Sequence, residues 1–490
     1  MAGILQHGHG ANYEIDMVHG PMLGKILLFS LPLMLSGVLQ LLFNAADIIV
    51  VGRFTGPASI AAVGSTTAIV NLMISIFMGL SVGVNVLIAQ YYGAGDERNS
   101  RETVQTAVVL SLLAGFILAA LGFLLAHPVL ALMGTPGDVI GLAARYLRIY
   151  FLGMPVIMLY NFGSAVLRGV GDTRRPLLYL SIAGAMNVVL NLIFVIVFRL
   201  GVAGVALATI LSQVVSAALV LRCLMHYEGA IQLTLCTSAE KQAEGILRRF
   251  LRTVRELLFV NPRRLAAIFR IGFPAGLQTA LFSISNVMIQ SSVNTFGSTV
   301  MAGNAAAQNL EGFVYLAMNA LMQTSVTFIS ANYGARDRRR VNRALFSCLA
   351  VVLVVGLITG EGVYALGRPL LSVYTNDAAT IEYGMARMSV ICTTYFLCGL
   401  MDTSTGGLRG LGYSFLSMLV SFIGSCLLRI VWIMTVFRAE PTQFILYISY
   451  PISWALTAAV QLICFLIVQK RAFARFGTGE EAGHRAAISS

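Results

Sequence analysis

Asp47 lies deep in the first long apolar stretch of this 490-residue chain, residues 26–51, where few ionisable side chains occur. A carboxylate inside a membrane-spanning helix is costly and is therefore a functional candidate by default. Because burial favours the protonated carboxyl and a nearby cation favours the carboxylate, such a group can exchange H⁺ or Na⁺ for a cationic substrate. We predict that Asp47 binds a coupling ion; the alternative is a structural hydrogen bond between helices.

Amide and charged side chains supply further candidates. Asn187 and Asn191 lie one helical turn apart in a later apolar stretch, so both can serve as ligands on one helix face. Amides also join neighbouring helices, so a structural role is the alternative. In the second half of the chain, Glu311, Asp402 and Arg429 are secondary candidates for ion binding. A buried Arg needs an anionic partner, and we predict a structural ion pair of Arg429 with Asp402 or Glu311.

A substrate pocket can be built from amides and from flexible thioethers, which adapt to ligands of varied shape. For the amides, hydrogen bonding between helices is again the alternative. The candidates for this pocket are Gln40, Asn44, Met73, Met158, Gln278 and Asn286.

The sequence lacks the phosphate-binding pattern of ATP-driven proteins. The nearest string, residues 20–26, is one residue short of that pattern and ends in Ile. Any transport by this chain is therefore expected to be driven by an ion gradient or by the substrate's own gradient, with Na⁺ or H⁺ as coupling ion and no organic cofactor. Neither the H-E-x-x-H string nor an Asp-rich metal pair occurs, so an intramembrane enzyme is disfavoured.

The composition requires that these side chains be positioned by membrane-spanning helices. The chain is 57% hydrophobic and only 11% charged, with a mean hydropathy of +0.82, whereas soluble domains have about 25% charged residues. Period-2 alternation is missing, which disfavours a β-barrel. We predict an all-α polytopic membrane protein of about twelve spans, from stretches of ~20 or more mostly apolar residues. These are 26–51, 66–91, 103–126, 141–167, 176–198, 201–224, 271–296, 310–331, 344–366, 382–408, 417–437 and 444–468.

The net charge of +12 is explained by orientation in the membrane. Most Lys and Arg residues fall in connections on one side of the predicted spans, and such connections face the cytoplasm. We expect a multi-pass protein of the cytoplasmic (inner) membrane with both termini in the cytoplasm. A nucleic-acid partner is not needed to explain the basic charge.

The chain contains an internal repeat, which predicts two similar bundles of six helices. Parallel repeats of this kind form transporters in which one bundle rocks against the other around a central site. The repeated elements are Tyr92-Gly93-Ala94 with Tyr333-Gly334-Ala335, Leu167-Arg168-Gly169 with Leu408-Arg409-Gly410, and Ser212 with Ser453, all 241 positions apart, and Pro32 with Pro274 and Asn44 with Asn286, both 242 apart.

The repeat also predicts the domain organisation. We expect six-helix bundles at 25–225 and 271–470, cytoplasmic tails at 1–24 and 471–490, and a cytoplasmic connector at 226–270. The connector is Arg-rich, which favours contact with anionic lipid headgroups.

In their order, several motifs resemble the multidrug and toxic compound extrusion (MATE) family. They are Pro32 with Asp47, Val51-Gly52-Arg53, the two Tyr-Gly-Ala turns, the two Leu-Arg-Gly-x-Gly turns and the string from Ser449 to Trp454. The resemblance spans residues 25–470. It implies a monomeric, two-bundle antiporter of the MATE/MOP fold, which exports amphipathic, often cationic compounds in exchange for Na⁺ or H⁺.

The resemblance also implies a coupling-ion site in the first bundle. In prokaryotic members with such a site, the acid of the first span works with polar residues of the fifth and sixth spans. Here these positions are Asp47, Asn187, Asn191 and Thr209. Position 191 is Asn where some relatives carry Asp, so Asp47 is the sole acid. Members with a site in the second bundle use an acid on the seventh span, which is absent here.

The alternative function is a flippase for lipid-linked saccharides or lipids of the same superfamily. Its anionic headgroup needs several cationic side chains facing a cavity, and only one clear intramembrane Arg is expected here. The observation that decides in favour of this alternative is a cavity lined jointly by Arg145, Arg148 and Arg429, if the structure contains one.

Overall fold

The structure is a computed structural model that describes residues 13–227, 229–233 and 260–488. Regular structure within these ranges is helical. The first half comprises α1 (Met22–Thr55), α2 (Pro57–Ala94), α3 (Glu97–Leu132), α4 (Gly137–Leu152), α5 (Met154–Gly169), α6 (Arg174–Leu192), a π-helical turn (Ile193–Val197) and α7 (Val202–Met225). The predicted tail residues 1–12 and connector residues 228 and 234–259 lie outside the described part, as does the Arg-rich stretch of the connector.

The second half repeats this order. It comprises α8 (Pro262–Asn294), α9 (Ser298–Gly334), α10 (Arg338–Ala365), the short α11 (Gly367–Ser372), α12 (Ala378–Ile391), α13 (Tyr395–Gly410), α14 (Ser414–Ser421), a π-helical turn (Phe422–Leu427), α15 (Leu428–Trp432), a second π-helical turn (Ile433–Phe437) and α16 (Gln443–Ile488). The predicted tail from residue 471 continues α16 as far as Ile488.

Within the described residues, ten helical segments are long and apolar enough to cross a membrane on their own. Two bent pairs, α4 with α5 (50°) and α12 with α13 (47°), pass the same criterion together and bring the number to twelve when each pair counts as one span. Gly153 and Pro155 lie at the first bend, where proline is tolerated because the first-turn N–H of a helix has no intrahelical acceptor. The predicted all-α fold with about twelve spans is confirmed.

The repeated sequence motifs form turns at the ends of helices. After each Tyr-Gly-Ala, one residue takes a left-handed backbone conformation, Gly95 with φ 69° and Arg336 with φ 57°. The aspartate that follows then caps the next helix. The Asp96 carboxylate accepts from the Asn99 N–H at 3.1 Å, and the Asp337 carboxylate accepts from the Arg340 N–H at 2.9 Å.

The chain divides into two compact units, an N-terminal unit of Met1–Ile15 with Leu35–Gly276 and a C-terminal unit of Asp16–Met34 with Leu277–Ser490. The start of the first helix therefore packs within the C-terminal unit. There the Asn332 side chain donates to the Met17 carbonyl at 3.1 Å. The Phe29 and Phe328 rings meet edge-to-face, 5.5 Å apart.

Within the N-terminal unit, α2 and α8 touch through glycines. A Cβ atom added at Gly79 would clash with the backbone of Gly272 and Gly276. A Cβ atom added at Gly83 would clash with the backbone of Ile268 and Gly272. Glycines four residues apart on each helix let the two backbones approach closely, which is a common packing mode of membrane helices.

Candidate functional site

The first-helix carboxylate lies in a chain of buried polar side chains. Asn191 donates through Nδ2 to Asp47 Oδ1 at 2.5 Å and to Asn187 Oδ1 at 3.2 Å. Asn187 donates in turn to the Thr209 hydroxyl at 3.4 Å. The structure therefore brings together all four residues of the predicted coupling-ion site.

Three helices supply these side chains. Asp47 is on α1, and Thr209 is on α7, where its hydroxyl donates to the Val205 carbonyl at 3.0 Å. Asn187 and Asn191 project from one face of α6, because they are one turn apart. The π-helical turn Ile193–Val197 begins two residues after Asn191, and π-turns inside helices are frequent at functional sites.

The site offers oxygen ligands to a small hard cation. Asp47 is 9% exposed and forms no ion pair with Lys or Arg in the described ranges. The Oδ1 atom of fully buried Asn191 has no hydrogen-bond partner, although buried polar atoms normally have one. Carboxylate, amide and hydroxyl oxygens suit H⁺ or Na⁺ rather than a soft metal. Among the described residues, no group of three or more His, Cys, Asp or Glu is placed to hold a metal ion.

Sequence reasoning missed two tyrosines beside this site. Tyr146 and Tyr150 on α4 have stacked rings, 5.9 Å apart and 19° from parallel, and both interact electrostatically with Asp47. Their spacing of four residues shows that they share a helix face. That pattern does not reveal which neighbouring helix the face meets.

The prediction that Arg429 pairs with Glu311 or Asp402 is wrong. Glu311 is instead held by Arg387, whose Nε and Nη2 each donate to one carboxylate oxygen at 2.8 Å. Both side chains are nearly inaccessible, with exposed fractions of 3% and 7%. The expectation of one clear intramembrane Arg also fails, because Arg387 and Arg409 are buried like Arg429.

Arg409 lies in a second polar cluster of the C-terminal unit. Its guanidinium interacts electrostatically with the Asp402 carboxyl group. It donates to Gln278 Oε1 at 2.8 Å, and Gln278 donates to the Ser421 hydroxyl at 2.8 Å. Gln461 donates to the same hydroxyl at 2.9 Å. Glu311, Asp402 and Arg429 thus belong to separate interactions rather than to one site.

The six predicted pocket residues do not share one environment. Met158 is fully buried in the N-terminal unit, and Gln278 is held by Arg409 and Ser421. Neither side chain is open to a ligand in this structure. The other four are exposed or partly exposed: Gln40, Asn44, Met73 and Asn286.

The twelve-span helical fold, its repeated halves and the buried carboxylate site in one of them define a polytopic membrane protein of the transporter class. The sequence profile of the MatE family matches residues 32–195 and again residues 274–435. The chain belongs to the MatE family. The two matches begin 242 positions apart, which confirms the internal repeat.

Curated relatives and solved structures agree with this assignment. The chain is 28% identical over 389 residues to the probable multidrug resistance protein YoeA of Bacillus subtilis, which covers 79% of this chain and 80% of the relative. It is 24% identical over 384 residues to an FAD transporter of Shewanella oneidensis, covering 77% and 80%. A multidrug resistance MATE transporter of the MOP superfamily, solved in an outward-facing conformation, superposes with a TM-score of 0.83 at 21% identity, covering 96% and 99%.

Proposed function

We propose that this chain is a secondary active multidrug exporter, which moves amphipathic, cationic compounds out of the cell in exchange for Na⁺ or H⁺. In this proposal it works as a monomer in the cytoplasmic membrane, with both termini inside, and its two bundles alternate in giving access to the substrate. The multidrug names of relatives such as YoeA support the substrate class. The electrostatics of the Asp47 site support the coupling.

The observation that carries the proposal is a buried carboxylate with an unpartnered amide oxygen beside it and no neighbouring cationic side chain in the part of the chain that the structure describes. When ionised, the Asp47 carboxylate carries a single negative charge, and the neighbouring Asn191 Oδ1 lacks a donor among the described residues. One cation can neutralise that charge at a time, so binding of the coupling ion and binding of a cationic substrate oppose each other. One charge moved across 100 mV supplies about 2.3 kcal/mol, or about a 50-fold concentration ratio.

The test is transport of a fluorescent organic cation in proteoliposomes, with the sodium gradient and the pH gradient imposed separately. Asp47→Asn keeps the shape of the side chain and removes its charge, so we expect gradient-driven transport to fall to the level of empty liposomes. Asp138→Asn is the matched control, because Asp138 is an exposed acid of the same unit. Coupled transport at the unmutated rate by folded Asp47→Asn protein contradicts the proposal.

No described contact favours the flippase alternative. Arg148 lies against the Phe123 ring at 5.5 Å, and Arg429 lies against the Tyr450 ring at 4.2 Å, so each cation is engaged inside its own unit. The same liposomes loaded with a fluorescent lipid-linked saccharide test this alternative directly. Movement of that lipid without movement of the organic cation replaces the exporter proposal with the flippase.

A further inference from the structure

Arg429 occupies an unusual position in the helical chain. It is 3% exposed and lies on the five-residue α15, between the π-helical turns Phe422–Leu427 and Ile433–Phe437. π-turns are rare and often mark functional sites, since the extra residue displaces the helix's regular hydrogen bonds. Two such turns around one buried cation indicate a site that the Asp47 proposal does not use.

The guanidinium of Arg429 is held by aromatic faces and one hydroxyl. Its Nε donates to the Ser453 hydroxyl at 2.8 Å, and its central carbon lies 4.2 Å from the Tyr450 ring centre and 5.6 Å from that of Trp454. The buried Nη2 donor has no acceptor among the residues that the structure describes.

Arg429 is also the excess charge among the buried groups of the C-terminal unit. The buried charged side chains described in that unit are three arginines and two acids. Glu311 pairs with Arg387, and Asp402 interacts with Arg409, so neither acid neutralises Arg429. An uncompensated buried charge is strongly unfavourable, because its lost hydration is not replaced.

The sequence repeat places this cation close to the counterpart of the Asp47 site. Thr209 and Tyr450 are 241 positions apart, the offset of Ser212 and Ser453. At this offset Asn187 corresponds to Leu428, so Arg429 is the next residue along the chain. At the first-helix offset of 242, Asp47 corresponds to the buried Ile289. The second half therefore has an apolar residue in place of the acid and a buried guanidinium one position after the counterpart of Asn187.

We propose that Arg429 binds a small monovalent anion, a halide or a carboxylate group, with Nη2 as the available donor. The bound anion neutralises the buried charge, and the Tyr450 and Trp454 rings hold the guanidinium. A single guanidinium with a nearly inaccessible surface matches one negative charge rather than a phosphate dianion. A free inorganic anion and the carboxylate of an organic molecule have this chemistry in common.

The two tryptophans of the chain make the site measurable. Both lie in the C-terminal unit, and only Trp454 contacts Arg429. In a Trp432→Phe background, the emission of Trp454 reports anion binding, because a bound iodide quenches a neighbouring indole. With iodide replacing sulfate, a dianion, at constant ionic strength, we expect a saturable loss of Trp454 emission. Acetate or benzoate reverses the loss if the natural ligand is a carboxylate, whereas reversal by chloride alone identifies an inorganic anion.

Variants separate this site from general quenching. Arg429→Met is expected to abolish the saturable loss, and Arg368→Met, at an exposed arginine of the same unit, is expected to retain it. If Arg429→Met fails to fold, Arg429→Lys keeps the charge and is expected to shift half-saturation to higher iodide. Quenching that rises linearly in the background protein overturns the proposal, since iodide then reaches Trp454 by collision rather than by binding at a saturable site. Asp47→Asn is expected to leave iodide quenching unchanged, so the two proposals fail independently.

Discussion

Replacing Glu311 with Gln removes one charge of a buried ion pair and leaves the Arg387 guanidinium without a carboxylate. The pair is joined by two hydrogen bonds of 2.8 Å, and a further guanidinium nitrogen donates to Asn304 at 2.8 Å. Because both charged groups are almost inaccessible, the remaining cation cannot recover its hydration. We expect the free energy of unfolding to fall by about 3–5 kcal/mol.

The C-terminal unit also contains an exposed ion pair, which serves as a control for the effect of the distance between the charged atoms. Arg368 and Glu382 approach to 2.5 Å, closer than the buried pair, but their side chains are 64% and 57% exposed. We expect Glu382→Gln to cost about 0–1 kcal/mol, because water and salt screen an exposed pair. Burial rather than distance therefore decides the difference between the two variants.

The assay is unfolding of the purified protein by titration with a denaturing detergent, completed as a double-mutant cycle. Arg387→Met alone leaves Glu311 as a buried anion and is expected to cost as much as Glu311→Gln. The double variant removes both charges and is expected to be more stable than either single variant. The reasoning is refuted if Glu311→Gln costs no more than Glu382→Gln, or if the two single effects simply add.

Three further outcomes follow from contacts at the helix ends and crossings. Gly79→Val is expected to lower the free energy of unfolding by about 1–3 kcal/mol, because the added side chain overpacks against the α8 backbone. Gly64→Val, at a position with open space around a Cβ atom, is expected to change it little in the same assay. Burial raises the pKa of Asp172, in the turn before α6, from 3.8 to about 6, although the Arg175 N–H and guanidinium oppose the rise. The folded state then binds this proton more tightly than the unfolded state, so thermal stability is expected to be higher at pH 5 than at pH 7.5 and to be lost as pH rises through about 6. Asp172→Asn, compared at both pH values, is expected to flatten this dependence. Asp337→Ala removes the cap of α10 and is expected to cost about 1 kcal/mol, and an unchanged unfolding midpoint contradicts the capping role.

The spans and the repeat could be predicted from the sequence because both depend on properties local to the chain. A stretch of about 20 apolar residues has few structures available in lipid other than a helix, since every backbone polar group must be satisfied internally. The Asn187 and Asn191 pair was likewise visible, because a spacing of four residues fixes a shared helix face. Thr209 is part of no such pattern, and only the family resemblance predicts that it belongs to the site.

Partners on different helices could not be predicted in the same way. Glu311 and Arg387 are 76 positions apart, and nothing in the spacing distinguishes Arg387 from Arg429 as the partner of Glu311. The choice depends on helix rotation and depth, which the packing of the C-terminal unit determines. The same limit applies to Tyr146 and Tyr150, whose shared face is evident while its contact with the Asp47 region is not.

The position of residues 16–34 in the C-terminal unit has a consequence for the order of assembly on the ribosome. Met17 receives its hydrogen bonds from Asn332 and Arg340, the latter 323 positions further along the chain. At about 5–20 residues per second, roughly 15 to 65 seconds separate the synthesis of these partners. The first turns of α1 therefore wait in the membrane without their final neighbours until most of the chain has been made. A nascent chain that stops before α9 therefore holds α1 with its first turns unpacked.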